Sequence, residues 1–466
     1  MVFSTGSFLF LFLPAAVLGY LLVSLVWSPA RNAYLFAVSL VFYAWNGAEH
    51  LGLLLFSAAA NYLLALGVEH AAGAGKRRIL AAAAALNAGI LVFYKYSGLF
   101  LRAYGALTGA EVLRQIALPV GVSFYTFQGL SYVVDVYRGA PAERDPLALG
   151  MYITFFPQLI AGPIVRFSDI REDLRTRRMT LDAAAEGTER FLLGLGKKVI
   201  LANTLGELAD RAFGASDPRG HTVLLLWLGA LAWAMQIYYD FSGYSDMAIG
   251  MGRIFGFTFP ENFRHPYAAA TVTDFWRRWH MTLSRWFRDY LYIPLGGSRV
   301  SKPRLVFNMM VVWTLTGLWH GAGGTYLLWG WGYFVLLAAE KFCLRPERLS
   351  SRTGKTLYRL GTLLCVLLLW VVFRADTPRL AWRYIGAMFG FGRGALADKN
   401  SLFLLREYRF TLLAGAALAL PLPEKLRRRC PHRYELCRAL LALLAGAVSL
   451  ALVMMSRYDP FLYFQF

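Results

Sequence analysis

Long apolar runs separated by short basic breaks extend through the whole chain. Runs at 7–27, 33–46, 51–69 and 79–96 open it, and runs at 221–256, 305–343, 357–374, 408–422 and 436–455 follow. About 20 apolar residues cross a bilayer as a helix. Counting runs between charged breaks gives about 11 to 13 transmembrane or re-entrant segments, several of them short or interrupted by Gly and Pro. The pattern therefore predicts an all-α, polytopic membrane protein. It reads as one integral membrane domain over 1–466, with N-terminal spans in 1–165, a core with re-entrant segments in 166–343, and C-terminal spans and an aromatic tail in 344–466. The first run has no basic stretch before it, which predicts a retained span rather than a cleaved signal peptide.

Polar stretches break the pattern in informative places. Residues 166–190 mix both charges and predict a cytoplasmic loop leading into an amphipathic helix, with Thr180 or Asp182 as its cap. Residues 257–304 are too polar to span lipid and too rich in Trp, Arg, Tyr and Pro for an ordinary solvated loop. They suit re-entrant or interfacial helices beside a water-filled cavity. FFPQLIAGPIVRF, residues 155–167, predicts a broken helix lining that cavity, a kink without function being the other account. PENFRHPY, residues 260–267, predicts a fixed turn at the membrane surface, with His265 structural.

Composition agrees with a membrane protein. The 466 residues are 57% hydrophobic and 16% charged, against roughly 25% charged in a soluble domain. The net charge of +20 is gathered in short clusters at 76–78, 171–178, 197–198, 345–355 and 427–429. That distribution fits cytoplasmic loops near anionic lipid headgroups and argues against a nucleic-acid partner. If the 71–78 loop is cytoplasmic, counting back three spans puts the N-terminus outside. Cys343, Cys365, Cys430 and Cys437 have no metal-type or disulfide spacing and read as packed or juxtamembrane thiols.

The candidate chemistry starts at His320, deep in the apolar segment 305–335. Ionisable side chains within a membrane are costly and functional by default, and an imidazole exchanges a proton near neutral pH. Gly317, Gly321, Gly323 and Gly324 allow close backbone approach around it. A catalytic base is favoured over a histidine that bonds neighbouring helices.

Upstream, DFWRRWHMTLSRWFRDYLYIPLGG (274–297) places Trp276, Trp279, Trp286 and Tyr290 at spacings that suit one helical face. Arg277, Arg278, Arg285 and Arg288 interleave with them, and His280 lies in the middle. Two readings stay open: an interfacial helix with snorkelling arginines, or a basic, aromatic mouth for a phosphate-bearing ligand. Asp240 and Asp246 interrupt the apolar stretch 221–256, and buried carboxylates need partners. They could orient a histidine or pair with Arg277, Arg278 or Arg285; a structural ion-pair network is the favoured account. The tail PFLYFQF carries Tyr463. It is either docked by its aromatics or brings a nucleophile whose phenol, of pKa about 10, forms an ester that keeps transfer potential; the residues alone do not choose.

Together, GLWHGA with His320, WRRWHMTLSRWFRDYLYIPLGG with His280, YYDFSGYSDMAIG and FFPQLIAGPIVRF resemble the membrane-bound O-acyltransferase family. The resemblance covers essentially the whole chain and is strongest to the bacterial branch of alginate O-acetyltransferase membrane subunits, whose start and end MVFST and PFLYFQF also resemble. It implies a many-helix fold around a tunnel whose cytoplasmic and external openings meet at the histidine. His320 matches the family's defining histidine, His280 the second, cytoplasmic-side histidine, and Tyr463 a C-terminal tyrosine proposed as acyl relay in related systems. The implied donor is a cytoplasmic thioester, acetyl-CoA or else an acyl-carrier protein, docking at Trp276, Arg277, Arg278, Trp279, Arg285 and Arg288. No metal is implied. The implied partners are a periplasmic or extracellular esterase-like acetyltransferase and an extracytoplasmic polysaccharide, alginate or similar, with peptidoglycan or another cell-wall polymer as the alternative. The implied location is the bacterial inner membrane. A protein acyltransferase acting on a secreted peptide is a further possibility within the family. A transporter is the alternative of another class, since broken helices and basic bias suit one, but the chain shows no inverted repeat.

Overall fold

The computed structural model describes residues 2–108, 116–214, 216–455 and Leu462. The chain is 79% helical, with no strand among the described residues. Among the described residues, seven helical stretches are long and apolar enough to cross a membrane: Ser7–Val26, Ala48–His70, Gly73–Thr108, Val223–Ile254, Gly324–Arg348, Arg352–Arg374 and Pro431–Met455. Others, such as Arg31–Trp45, Val122–Tyr137, Lys302–His320 and Lys399–Leu418, are shorter or more polar. Many large apolar side chains point outward, among them Leu25, Leu63, Leu413 and Leu443. In water such exposure would be costly, whereas lipid tails solvate it. The protein is an all-α, multi-pass membrane protein.

Several local expectations change. The basic stretch 76–78 is not a loop, because a helix begins at Gly73 and carries it in its first turns. Residues 166–176 are likewise a helix, Phe167–Thr176, rather than a loop. The next helix does start at Leu181, and the Thr180 hydroxyl accepts from the Ala183 N–H at 3.2 Å. The run 305–343 divides after His320 into two helices, Lys302–His320 and Gly324–Ala339.

The chain forms two compact units. The first comprises 1–191 and 244–261. Its core is an aromatic cluster of Phe3, Phe8, Phe12, Phe42 and Phe156. Buried amides join two of its long helices, with Asn87 donating to Asn61 at 2.9 Å and Asn61 donating back at 3.3 Å. Such reciprocal bonds satisfy polar groups that neither water nor lipid can reach. The segment 155–167 is broken as expected: Pro146–Thr154 ends at Phe155, and the short helix Phe156–Leu159 follows. In the same unit Asp246 pairs with Arg190 at 2.9 Å, and Arg190 also reaches Glu261 at 2.6 Å.

The second unit comprises 192–243 and 262–466. A helix that begins at Leu181 runs through a π-turn at Lys197–Ala202 into Asn203–Phe213. Lys198 in that turn is 1% exposed and meets Asp240, 3% exposed, at 2.6 Å. The helices Lys302–His320 and Gly324–Ala339 pack backbone to backbone. A Cβ on Gly317 would lie 2.6 Å from the Tyr326 carbonyl oxygen, and one on Gly330 would lie 2.4 Å from that of Trp313. Only glycine permits that crossing.

Candidate active site

His320 is the last residue of its helix, and the chain turns there through Gly321 at φ +155°. A side chain at 321 would meet the Tyr326 ring, a Cβ lying 2.9 Å from it. The His320 ring is half-buried and walled by aromatics. Trp329 and Phe373 stand edge-on to it at centroid distances of 5.1 and 5.0 Å, and Trp319 lies at 4.8 Å.

His280 comes from the expected segment, but not from the middle of one helix. The segment is two short helices, Val272–Trp276 and Met281–Phe287, and His280 joins them in the left-handed conformation at φ 40°. A non-glycine residue there costs about 1–3 kcal/mol unless its surroundings enforce it. Residues 262–264 do so, since the Met281 N–H donates to the Asn262 carbonyl and the Arg264 N–H to the Arg278 carbonyl, both at 2.9 Å. The Asn262 side-chain oxygen lies 3.1 Å from His280 Nδ1 and also accepts from the Thr282 N–H and hydroxyl. An oxygen accepting from a backbone N–H is the acceptor in all three contacts. His280 therefore donates from Nδ1 and keeps its lone pair on Nε2. Sequence reading passed over Asn262; its signal was a lone amide in PENFRHPY next to a turn that had to be fixed.

Burial pushes the His280 imidazole down to about 3. In an unfolded chain it would take up a proton near 6.5. Between those values the unfolded state binds more protons, so the fold loses stability as pH falls from about 6.5 towards 3. Thermal unfolding of detergent-solubilised protein should show that slope, and His280→Gln should flatten it. An unchanged slope in the variant would mean that His280 does not carry it.

Both histidines line one small cavity of about 20 Å³, closed by Trp279, Trp319, Trp329 and Phe373. It has room for about one water molecule. The helix Arg352–Arg374 also lines two larger cavities. Near its start, Tyr358 and Lys355 line a cavity of about 740 Å³ together with Arg277, Tyr292, Lys341 and Glu347. At its end, Arg374 lines one of about 320 Å³ with Asp210, Phe213 and Asp376. Sixteen residues separate Tyr358 from Arg374, about 24 Å at 1.5 Å per residue. Trp370 and Phe373, which line the histidine cavity, lie about one turn before Arg374 and next to it, respectively.

Glu340 organises the larger opening. Its carboxylate is buried and accepts from the Val272 and Thr273 N–H groups at 2.7 and 2.8 Å, from the Thr273 hydroxyl at 2.6 Å and from the Tyr358 hydroxyl at 2.9 Å. It thereby satisfies the free donors at the start of Val272–Trp276 and fixes where Arg277 emerges. Nothing in the residue pattern marked Glu340, which lies 67 positions from its partner Thr273.

The six residues expected at the donor mouth do not gather in one place. Arg277 lines the large cavity, while Trp279 lies in the histidine cavity. Trp276 and Arg288 border a separate pocket of about 170 Å³. Arg278 pairs with Asp274 at 2.8 Å, Arg288 with Asp289 at 2.6 Å, and Arg285 is half-buried on Met281–Phe287. The break at His280 is the physical reason, since two short helices cannot present one continuous face. Asp240 and Asp246 pair with Lys198 and Arg190, not with Arg277, Arg278 or Arg285. Asp240 also accepts from the Leu462 N–H at 3.2 Å. Tyr463 lies outside the described residues.

A cavity lined by two histidines and walled by aromatics, on a helix long enough to span, fits an enzyme that works within the membrane. Residues 145–373 match the model of MBOAT, the membrane-bound O-acyltransferase family, and the chain belongs to that family. It is a membrane O-acyltransferase. It is 43% identical to a protein of Azotobacter vinelandii named "Probable alginate O-acetylase AlgI", over 89% of this chain and 83% of that one. The protein of the same name from Pseudomonas putida is 39% identical over the full length of both. A peptidoglycan O-acetyltransferase of Helicobacter pylori is 35% identical over 84% of this chain and 80% of its own.

Proposed function

We propose that the protein carries an acetyl group from cytoplasmic acetyl-CoA across the bacterial inner membrane, for O-acetylation of an extracytoplasmic polysaccharide of the alginate type. The observation that carries this reading is the cavity lined by both histidines, on a helix that also lines a larger cavity near each of its ends. The acyl group can be received from one side and delivered to the other without water crossing. The donor enters at the 740 Å³ cavity, where Arg277, Lys341 and Lys355 supply cations for its phosphates. The distance from there to the histidines suits a thioester on a long flexible arm. An acyl-carrier protein presents the same arm and is the second donor reading.

His320 acts as general base. It takes the proton of an acceptor hydroxyl whose oxygen attacks the thioester carbonyl carbon. The C–S bond then breaks, and the leaving sulfur takes the proton from the imidazolium. His280, neutral with its lone pair on Nε2, holds the donor or relays the proton. The acceptor hydroxyl is that of Tyr463 or of an esterase-like partner that passes the acetyl group to the polymer. The bond from Leu462 to Asp240 supports the tail, because Ile237 and Phe241 on the same helix as Asp240 line the histidine cavity. Alginate-type substrates are preferred over peptidoglycan because relatives with the alginate name are the more similar in sequence.

Transfer of label from acetyl-CoA to the purified protein, in wild type and Tyr463→Phe, tests the relay. Loss of label in the variant supports the tail as acceptor, and retained label moves the acceptor elsewhere. The donor site has its own test. Arg277→Gln should raise KM for acetyl-CoA about 10-fold or more, as expected for a lost charge-assisted bond. It should leave KM for acetylpantetheine, which lacks the nucleotide phosphates, unchanged. Equal effects on both donors would remove Arg277 from phosphate binding.

A further inference from the structure

We propose that the indole N–H of Trp329 is the hydrogen-bond donor that holds the thioester carbonyl oxygen and then its oxyanion. The proposal rests on the acyl-transfer reading and adds to it the group that meets the developing charge.

Trp329 is 1% exposed, lines the histidine cavity and stands edge-on to His320 at 5.1 Å. Its Nε1 is buried and has no hydrogen-bond partner. Three other indoles of this unit are provided for, whereas those of Trp276 and Trp370 are also buried without a hydrogen-bond partner, Trp276 beside a different pocket. Trp233 donates to the Trp370 carbonyl at 2.9 Å, Trp227 to the Met388 carbonyl at 2.8 Å, and Trp331 to the Thr314 hydroxyl at 3.0 Å. Trp329, unlike Trp276, lines the histidine cavity, with Trp370 stacked on it at 6.0 Å. A buried donor without an acceptor is costly and calls for an explanation, catalysis being one. The space beside it holds about one water, which is also the room a carbonyl oxygen needs.

The ring cannot turn away. Tyr333, Phe373 and Trp370 pack on it at centroid distances of 5.2, 5.2 and 6.0 Å. A donor fixed in advance in a water-poor site stabilises charge without reorganising during the reaction. As the acceptor oxygen bonds to the carbonyl carbon, the C=O π pair moves onto oxygen and the Trp329 N–H bond strengthens. When the oxyanion collapses, the pair re-forms C=O and the C–S bond breaks towards sulfur, which takes the proton held by His320.

The test uses the full-length protein in detergent with acetyl-CoA carrying a ¹³C-labelled carbonyl. In wild type the infrared carbonyl band of bound donor should move to lower frequency. In Trp329→Phe the shift should vanish and kcat should fall ~10²–10³-fold, with KM for the donor nearly unchanged. Benzothienylalanine at 329, which puts sulfur where the N–H was and keeps the bicyclic ring, should behave like Phe and covers the case in which Trp329→Phe does not fold. A carbonyl shift retained in either variant, or kcat near the wild-type level, overturns the proposal. If wild type binds no acetyl-CoA, it is the donor reading that fails, and the same band read on an acetylated acyl-carrier protein decides for Trp329.

Discussion

His320→Ala lowers acyl transfer by ~10²–10⁴-fold, the range lost with a general base, while the protein still folds. His320 ends its helix at a glycine turn, is half-buried, and contributes mainly edge-on contacts to Trp329 and Phe373. Each such contact is worth about 0.5–1.5 kcal/mol, too little to unfold a protein of this size. The measurement is label transfer from acetyl-CoA alongside thermal unfolding of the same preparation. Wild-type rates in the variant would remove His320 from the chemistry. A collapsed unfolding temperature would instead make it a packing residue that bonds helices, the alternative weighed from the sequence.

The second large effect belongs to Lys198 and Asp240. Lys198→Met or Asp240→Leu alone should cost about 3–5 kcal/mol, because each leaves the other charge buried without its counter-ion. The double variant should recover most of the loss, since a pair of apolar side chains of similar volume often replaces a buried ion pair at little cost. A double-mutant cycle on unfolding in detergent reads the coupling directly. Additive losses would mean that the 2.6 Å contact is not what holds these charges. Asp240 also anchors the Leu462 N–H, so Asp240→Leu should free the tail to protease before the rest of the chain unfolds, whereas Lys198→Met should do so less.

Some of the site was legible in the residues and some was not. His320 stood out because a lone ionisable group in a long apolar run has few explanations. His280 stood out because it breaks a Trp and Arg pattern that headgroup anchoring would otherwise explain. The supporting residues were invisible for a different reason. Asn262 reaches His280 across 18 positions, Glu340 reaches Thr273 across 67, and Lys198 reaches Asp240 across 42. Local pattern carries no signal for such pairs. The arginines misled because interleaved Trp and Arg read as one helical face, whereas the left-handed turn at His280 splits that face and sends Arg277 and Arg288 to different pockets.

The sequence by itself determined the helical class, the membrane setting and most helix positions. Those follow from apolar runs of spanning length and from charges that lipid excludes, and both are properties of neighbouring residues. It also singled out His320 and His280 as the candidates for the chemistry. Only the tertiary structure decided that both histidines face one cavity, that the helix beside it also lines a larger cavity near each end, and that the buried indole N–H of Trp329, a lining residue, has no hydrogen-bond partner. Those outcomes depend on glycine-mediated crossings and buried polar pairs between segments far apart in the chain, where packing rather than local pattern sets the geometry.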